Sequence, residues 1–358
     1  MAALIMGAGI FSLPYLFAAA GFWTGVSYLV IFGIIASLIH LMYSDIIKRT
    51  PGDHRFVGYA KLYLGKWAFI LSFFTTLIGI VLVLLIYLVL AVKFGSIIFQ
   101  GVNPNYIFLG AWVLFSLSVI SGIERLAKLD MAISTLKLLI VIGIFVFGFA
   151  NFNASDFSFG GFSSLILPYS AVLFSLSGRS AISSIHKYLN KNKISKKHLG
   201  SALVLGTCIP AFLYILFVMG VLGVSGGAVT EDAISGIATV FPQGGIIMAV
   251  LGLLSLWTAY TFLGFEVHNI LTSDFKIKML GASIAVAIAP LILYYAGLNN
   301  FLWLIGISGG VLLALESILV ILMWQKAAKP KPFLYYASLM IVLVFVVAAA
   351  NELVVLTK

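Results

Sequence analysis

The chain has 358 residues, 62% of them hydrophobic and only 9% charged, with a mean hydropathy of +1.17. A soluble domain carries about a quarter charged residues, so a soluble fold is excluded. The formal charge of +10 sits in separate short loops rather than on one face with aromatic platforms, which excludes nucleic-acid binding, and the single cysteine, Cys208, excludes an internal disulfide or a cysteine-cluster metal site.

Crossing a roughly 30 Å hydrocarbon core takes about 20 apolar residues. Read in chain order, such runs predict spans near residues 1–22, 25–45, 67–92, 107–123, 132–150, 164–186, 199–223, 244–266, 279–297, 301–324 and 333–356. Each is too long and too apolar for the alternating ten-residue strand of a membrane barrel. An all-α integral membrane protein forming one transmembrane domain over 1–358 is therefore expected. No secretory leader is expected, because the first run lacks a basic flank and a small-residue cleavage site.

The first span contains "GAGIFSLPY" at 7–15. A helix broken there frees backbone N–H and C=O groups at membrane depth, which is tolerable only where they are buried in protein or line a wet cavity. The N–H groups opening the second half-helix suit a carboxylate, and freed carbonyls suit an ammonium or a cation. The alternative is that Gly7 and Gly9 serve close helix packing and Pro14 adds a kink. Only six residues precede Gly7, about 9 Å of helix, where half a bilayer needs about 15 Å. The true start is expected upstream of Met1.

Orientation follows from the basic residues. The second, fourth, sixth, eighth and tenth loops hold Lys48, Arg49, Arg55, Lys61, Lys66, Arg125, Lys128, Lys187, Lys191, Lys193, Lys196, Lys197, Lys276, Lys278, Lys326, Lys329 and Lys331, against Lys93 and Lys358 on the other side. By the positive-inside rule the amino terminus is inside and the carboxyl terminus outside. The densest run, "HKYLNKNKISKKH" at 186–198, suits contact with anionic lipid or an ordinary cytoplasmic loop. Lys137 and Arg179 remain, and both fall within spans.

Span six, "LILPYSAVLFSLSGRSAISSIHKYL" at 165–189, carries Ser175, Ser177, Gly178, Arg179 and Ser180 at its centre, five spans after the first break. Corresponding interruptions in two halves are the mark of an inverted-repeat transporter with its site between the repeats. The halves would cover about 1–150 and 164–324, with an accessory helix over 333–356.

"GAGIFSLPY" followed by "FAAAGF" resembles the first helix of amino acid transporters of the APC superfamily, especially bacterial aromatic and hydroxy amino acid permeases and the amino acid/auxin permeases. "TPGDHRFVGYAKLYLG" at 50–65 resembles the loop after their second helix, and "FSLSGRSAISSI" at 174–185 their broken sixth helix. The resemblance covers nearly the whole chain and implies a LeuT-like 5+5 inverted-repeat bundle plus an eleventh helix, with helices 1 and 6 broken. It puts a substrate carboxylate against the N–H groups of Ala8, Gly9 and Ile10, and the ammonium near Gly7 and the stretch Phe174, Ser175 and Ser177. Two positions depart from the family pattern. Arg179 follows the helix 6 glycine, Gly178, where an aromatic or aliphatic residue is common, and Ser183 stands where a proline often follows the next isoleucine.

Arg179 is expected to line the pathway, either paired with Glu316 or touching the substrate. A lipid-facing guanidinium would cost at least about 2.5 kcal/mol. Glu316, mid-way along span ten, is read as functional, with a structural hydrogen-bonding role as the alternative. Glu266 and His268 at the end of span eight, Asp45, His40 and His186 are read as interfacial or packing residues. Thr258 and Thr261 could give oxygens to an ion between helices 1 and 8, or bond their own preceding turn. Lys137 lies about 10 Å inside span five. In proton-coupled relatives a helix 5 lysine amine occupies the place of the cation bound by sodium-coupled members, and a fixed ammonium there would repel sodium. The alternative is snorkelling to the interface.

No catalytic signature such as HExxH, GxSxG or a phosphate-binding loop is present, so no enzyme activity and no cofactor are expected. The sequence thus predicts a secondary active transporter that imports an amino acid across the plasma membrane by alternating access, with a proton as coupling ion and lipid as its surroundings. The alternatives are sodium coupling, a passive channel and a membrane-embedded enzyme.

Overall fold

The computed structural model describes residues 1–52, 54–121, 126–151, 158–161, 164–226, 228–273 and 278–357. Arg125, Lys276 and Lys358, three of the loop charges that set the orientation, lie outside the described residues.

Among the described residues the only regular structure is helical. The first predicted span is α1 (Ala2–Ile5), a 3-10 turn over Ala8–Ser12, and α2 (Leu13–Ala20). Then come α3 (Phe22–Arg49), a short α4 (Phe56–Leu64) within the first basic loop, α5 (Lys66–Ile98), α6 (Pro104–Ser121) and α7 (Leu126–Phe149). The sixth span is again two pieces, α8 (Pro168–Ser175) and α9 (Arg179–Lys191). It is followed by α10 (Leu199–Ser225), a short α11 (Ile234–Val240), α12 (Pro242–Ser273) and α13 (Met279–Tyr295). The tenth span joins α14 (Phe301–Ile305), a π-helical stretch over Gly306–Leu313 and α15 (Ala314–Ala328), and α16 (Pro332–Leu356) is the eleventh.

Both predicted interruptions are therefore present. Seven helical runs are long and apolar enough to cross a membrane, and the two broken spans and the shorter α6 and α13 complete the eleven. The protein is an integral, multi-pass membrane protein. Two boundaries shape the interior of the bundle. The sequence pattern ends span eight at residue 266, but α12 continues to Ser273, about 10 Å further, which carries Glu266 inside the helix. Span ten changes to π geometry at its glycine-rich "GISGG", and π-turns concentrate where a helix serves a site.

Lipid is as apolar as leucine, so helices in a membrane gain from close approach at small residues rather than from escaping water. The α7–α10 seam shows this. A Cβ added to Gly148 would land on the Gly220 carbonyl, and one added to Gly220 would lie 2.7 Å from the Ile144 carbonyl carbon. The tenth span uses its glycines in the same way. A Cβ on Gly309 would lie 2.7 Å from Phe174 Cβ, on Gly306 2.7 Å from Glu352 Oε1, and on Gly310 2.6 Å from Glu352 Cγ. Glu352, a buried carboxylate of α16, thus seats in a notch left by two glycines, while Tyr169 Oη of α8 donates to Gly310 O at 3.0 Å. Spans six, ten and eleven meet at this π-helical stretch.

Overpacking a tight seam costs about 1–3 kcal/mol, whereas alanine is favoured over glycine in an open helix position by about 1 kcal/mol. Gly148→Ala is expected to lower the melting temperature of the detergent-solubilised protein. Gly143→Ala on the same helix, where an added Cβ meets nothing within 4 Å, is expected to leave it unchanged or raise it.

Candidate substrate and coupling site

The two breaks face one another. In the first, Met6 N donates to Ala2 O at 2.9 Å and Gly7 N to Ile5 O at 2.7 Å, after which the helical ladder stops. The N–H groups of Ala8 and Gly9, first in the following 3-10 turn, precede its i→i+3 bonds and have no partner within that turn. Pro14 falls in the first turn of α2, where its missing N–H is not needed. In the second break Ser177 N donates to Phe174 O at 3.3 Å, and Gly178 caps α9.

Their contact is made by Gly9. A Cβ there would lie 2.6 Å from Ser175 Cα and 3.0 Å from Ser175 N. The glycine is thus required by the approach of one broken helix to the backbone of the other. Tyr214 of α10, fully buried, completes the junction, its hydroxyl proton shared between Ile5 O at 2.6 Å and Ser175 O at 3.1 Å. One side chain therefore bonds a carbonyl at each break.

A cavity of about 90 Å³ opens beside this junction. Of the substrate residues expected from sequence, Gly7, Ala8, Gly9, Phe174, Ser177 and Arg179 line it. Ser175 does not. It is covered by Gly9 and donates its hydroxyl to Val172 O at 2.9 Å. Ile10 faces a second cavity and Gly178 a third. Tyr87 of α5, which the sequence did not single out, lines the central cavity, with its hydroxyl 3.4 Å from where a Gly7 Cβ would be.

The charged end of the central cavity lies between the breaks and the basic loops, because α9, α12 and α15 all run from it toward those loops. Arg179 Nη2 donates to Glu316 Oε2 at 2.7 Å and Nε to the same oxygen at 3.2 Å, while Thr76 Oγ1 donates to Glu316 Oε1 at 2.7 Å. The pair is buried, with side-chain exposures of 15% and 6%. Of the two roles open to Arg179 in the sequence, the structure has the ion pair. Its guanidinium also lies 3.9 Å from the centre of the Phe56 ring at the start of α4 and 6.0 Å from that of Tyr43. Tyr43 Oη in turn lies 3.0 Å from Ser183 Oγ. Glu266 lines the same cavity, and its Oε2 is sealed from solvent with no hydrogen-bond partner among the described residues. The sequence placed it at the end of an apolar run, and in the structure α12 continues beyond it to Ser273.

Lys137 lies on the other side of the first break. Its Nζ donates to Met6 O at 3.3 Å, and its small apolar cavity is shared with Gly7, Ile10 and Ser255. The α12 hydroxyl facing it is Ser255. Thr258 donates to Ser255 O at 3.1 Å and Thr261 to Trp257 O at 2.8 Å, with Thr261 also against Ser118 of α6. Neither threonine lines either cavity. His40 and His186 bond across helices, to Thr207 at 3.0 Å and Ser44 at 2.8 Å, and Asp45 accepts from Arg49 and Trp324.

A model of the family described as "transmembrane amino acid transporter protein" matches residues 1–235, about two thirds of the chain. The chain belongs to this family. A comparison with curated protein sequences gives no match. Among solved structures, MhsT in complex with L-phenylalanine is similar at 16% identity, with a TM-score of 0.73 over 97% of each chain. Mhp1, a nucleobase-cation-symport-1 family transporter crystallised closed with bromovinylhydantoin bound, is similar at 14% identity, with a TM-score of 0.63 over 89% of this chain and 75% of its own. Its inward-facing form gives 0.60. The fold is thus the LeuT fold expected for the family.

A larger residue at Gly9 would force the two broken helices apart. Gly9→Ala is expected to reduce uptake into proteoliposomes at least about tenfold and Gly9→Val to abolish it, each normalised to folded protein by gel filtration. Removing one partner of a buried ion pair costs about 3–5 kcal/mol, and removing both costs less. Arg179→Ala is accordingly expected to destabilise strongly in thermal melts, and adding Glu316→Ala to recover part of the loss.

Proposed function

We propose that this family member is a secondary active transporter that moves an amino acid across the membrane by alternating access, importing it with protons. The observation that carries this reading is the junction itself. Ala8 and Gly9 of the first break and Phe174 and Ser177 of the second line one cavity, and in this reading their backbone N–H and carbonyl groups meet the anionic and cationic ends of a zwitterion at mid-span. MhsT holds L-phenylalanine in the same fold, and a single amino acid is the ligand class that such a pair of breaks suits.

In this reading the halves at 1–150 and 164–324 move against one another, with the basic loops in the cytoplasm and the amino terminus inside. The proton reading rests on Lys137. A snorkelling lysine would turn to the interface, whereas this amine donates to Met6 O at the break. An ammonium held there disfavours sodium by like charge, and losing or gaining its proton changes a bond to the broken helix directly.

The test is uptake by purified protein in liposomes. Counterflow and saturation are expected, which a passive channel would not show. Accumulation should follow an imposed pH gradient and ignore sodium, and Lys137→Ala should lose the pH response. Sodium-dependent accumulation indifferent to pH would overturn the coupling assignment while leaving the transport reading in place.

A further inference from the structure

We infer that Glu266 is a proton-carrying carboxyl on the inner wall of the central cavity, holding its proton in this conformation and exchanging it during transport. This rests on proton-driven import and extends it to a residue on the opposite side of the first helix from Lys137. Leu263 and Glu266 both line the cavity, and residues three apart share one helix face, so Glu266 belongs to the cavity wall.

Among the described residues one cation, Arg179, lines the cavity beside the two carboxyl groups. The guanidinium of Arg179 places both of its cavity-side bonds on Glu316, and the Thr76 hydroxyl does the same. Glu266 Oε2 is left sealed and without a donor among the described residues. The titratable groups bearing on it are Arg179 of α9, Glu316 of α15, Arg55 just before α4 and Tyr43 of α3, and α5 contributes the neutral hydroxyls of Thr75 and Thr76 to the same wall. Negative charge on an oxygen sealed from water and from donors is disfavoured, whereas an acid holding its proton there is tolerated. With a proton on Glu266, the Arg179–Glu316 pair closes the charge balance of the cavity.

The proton also supplies a switch. When the O–H bond of Glu266 breaks and the proton passes to water reaching the cavity from the basic-loop side, two carboxylates compete for one guanidinium. Arg179 then has reason to leave Glu316 for Glu266. Because Arg179 is stacked on Phe56, its departure also frees the start of α4 from the cavity mouth. Proton release at Glu266 is thereby linked to opening on that side.

Infrared difference spectroscopy of the protein in liposomes, titrated with pH, tests the proton directly. The carbonyl band of a protonated carboxyl is expected in the wild type, lost at high pH, missing from Glu266→Gln and displaced in Glu266→Asp. Absence of the band, or its persistence in Glu266→Gln, overturns the proposal. The steady accumulation ratio under a pH gradient is the second measurement, since each coupled proton supports up to about tenfold accumulation per pH unit. Glu266→Gln should lower that ratio and Glu266→Asp restore it, and an unchanged ratio in Glu266→Gln would also overturn the assignment. If the wild type itself ignores the gradient, proton-driven import fails and the infrared band alone decides the state of Glu266.

Discussion

Two helices can be interrupted inside hydrocarbon only if the freed backbone groups are met by something other than water. Here the hydroxyl of Tyr214 meets a carbonyl from each interruption, and the absence of a side chain at Gly9 lets the two breaks approach closely enough for that to happen. The cavity, the orientation of Arg179 and the position of Gly178 over Ile5 all depend on this junction.

Charge is handled by the same logic at a different scale. A guanidinium and two carboxylates share the basic-loop end of the cavity, where each unpaired charge is costly. The ion pair between Arg179 and Glu316 removes two of the three, and the Phe56 ring covers the guanidinium. The short helix α4, whose sequence resembles a family loop, acquires a physical task from this contact. It holds an aromatic face over the only cation that lines the central cavity among the described residues.

The π-helical stretch of span ten joins these two systems. One side of it presents Ser308 to the cavity, and the other admits Glu352 and the backbone of α8 through its glycines. A shift of α8 or α16 therefore bears on the cavity wall without any ligand contact of its own, and the eleventh helix, accessory by its place in the sequence, is packed into the same unit.

The sequence by itself determined the class, the eleven helices and both breaks, because hydrophobic run length and glycine–serine clusters act locally and leave a direct trace in the order of residues. It also marked Arg179, Glu316 and Lys137, since a charge inside an apolar run is conspicuous whatever surrounds it. Only the tertiary structure decided partners. That Gly9 abuts Ser175, that Arg179 chooses Glu316, and that Ser255 rather than Thr258 or Thr261 faces Lys137 depend on helices brought together from distant parts of the chain. The cavity lining at Glu266 is a partner relation of the same kind. Apolar run length marks where a span stops being apolar, but it does not say which helices from elsewhere in the chain lie against the residue there.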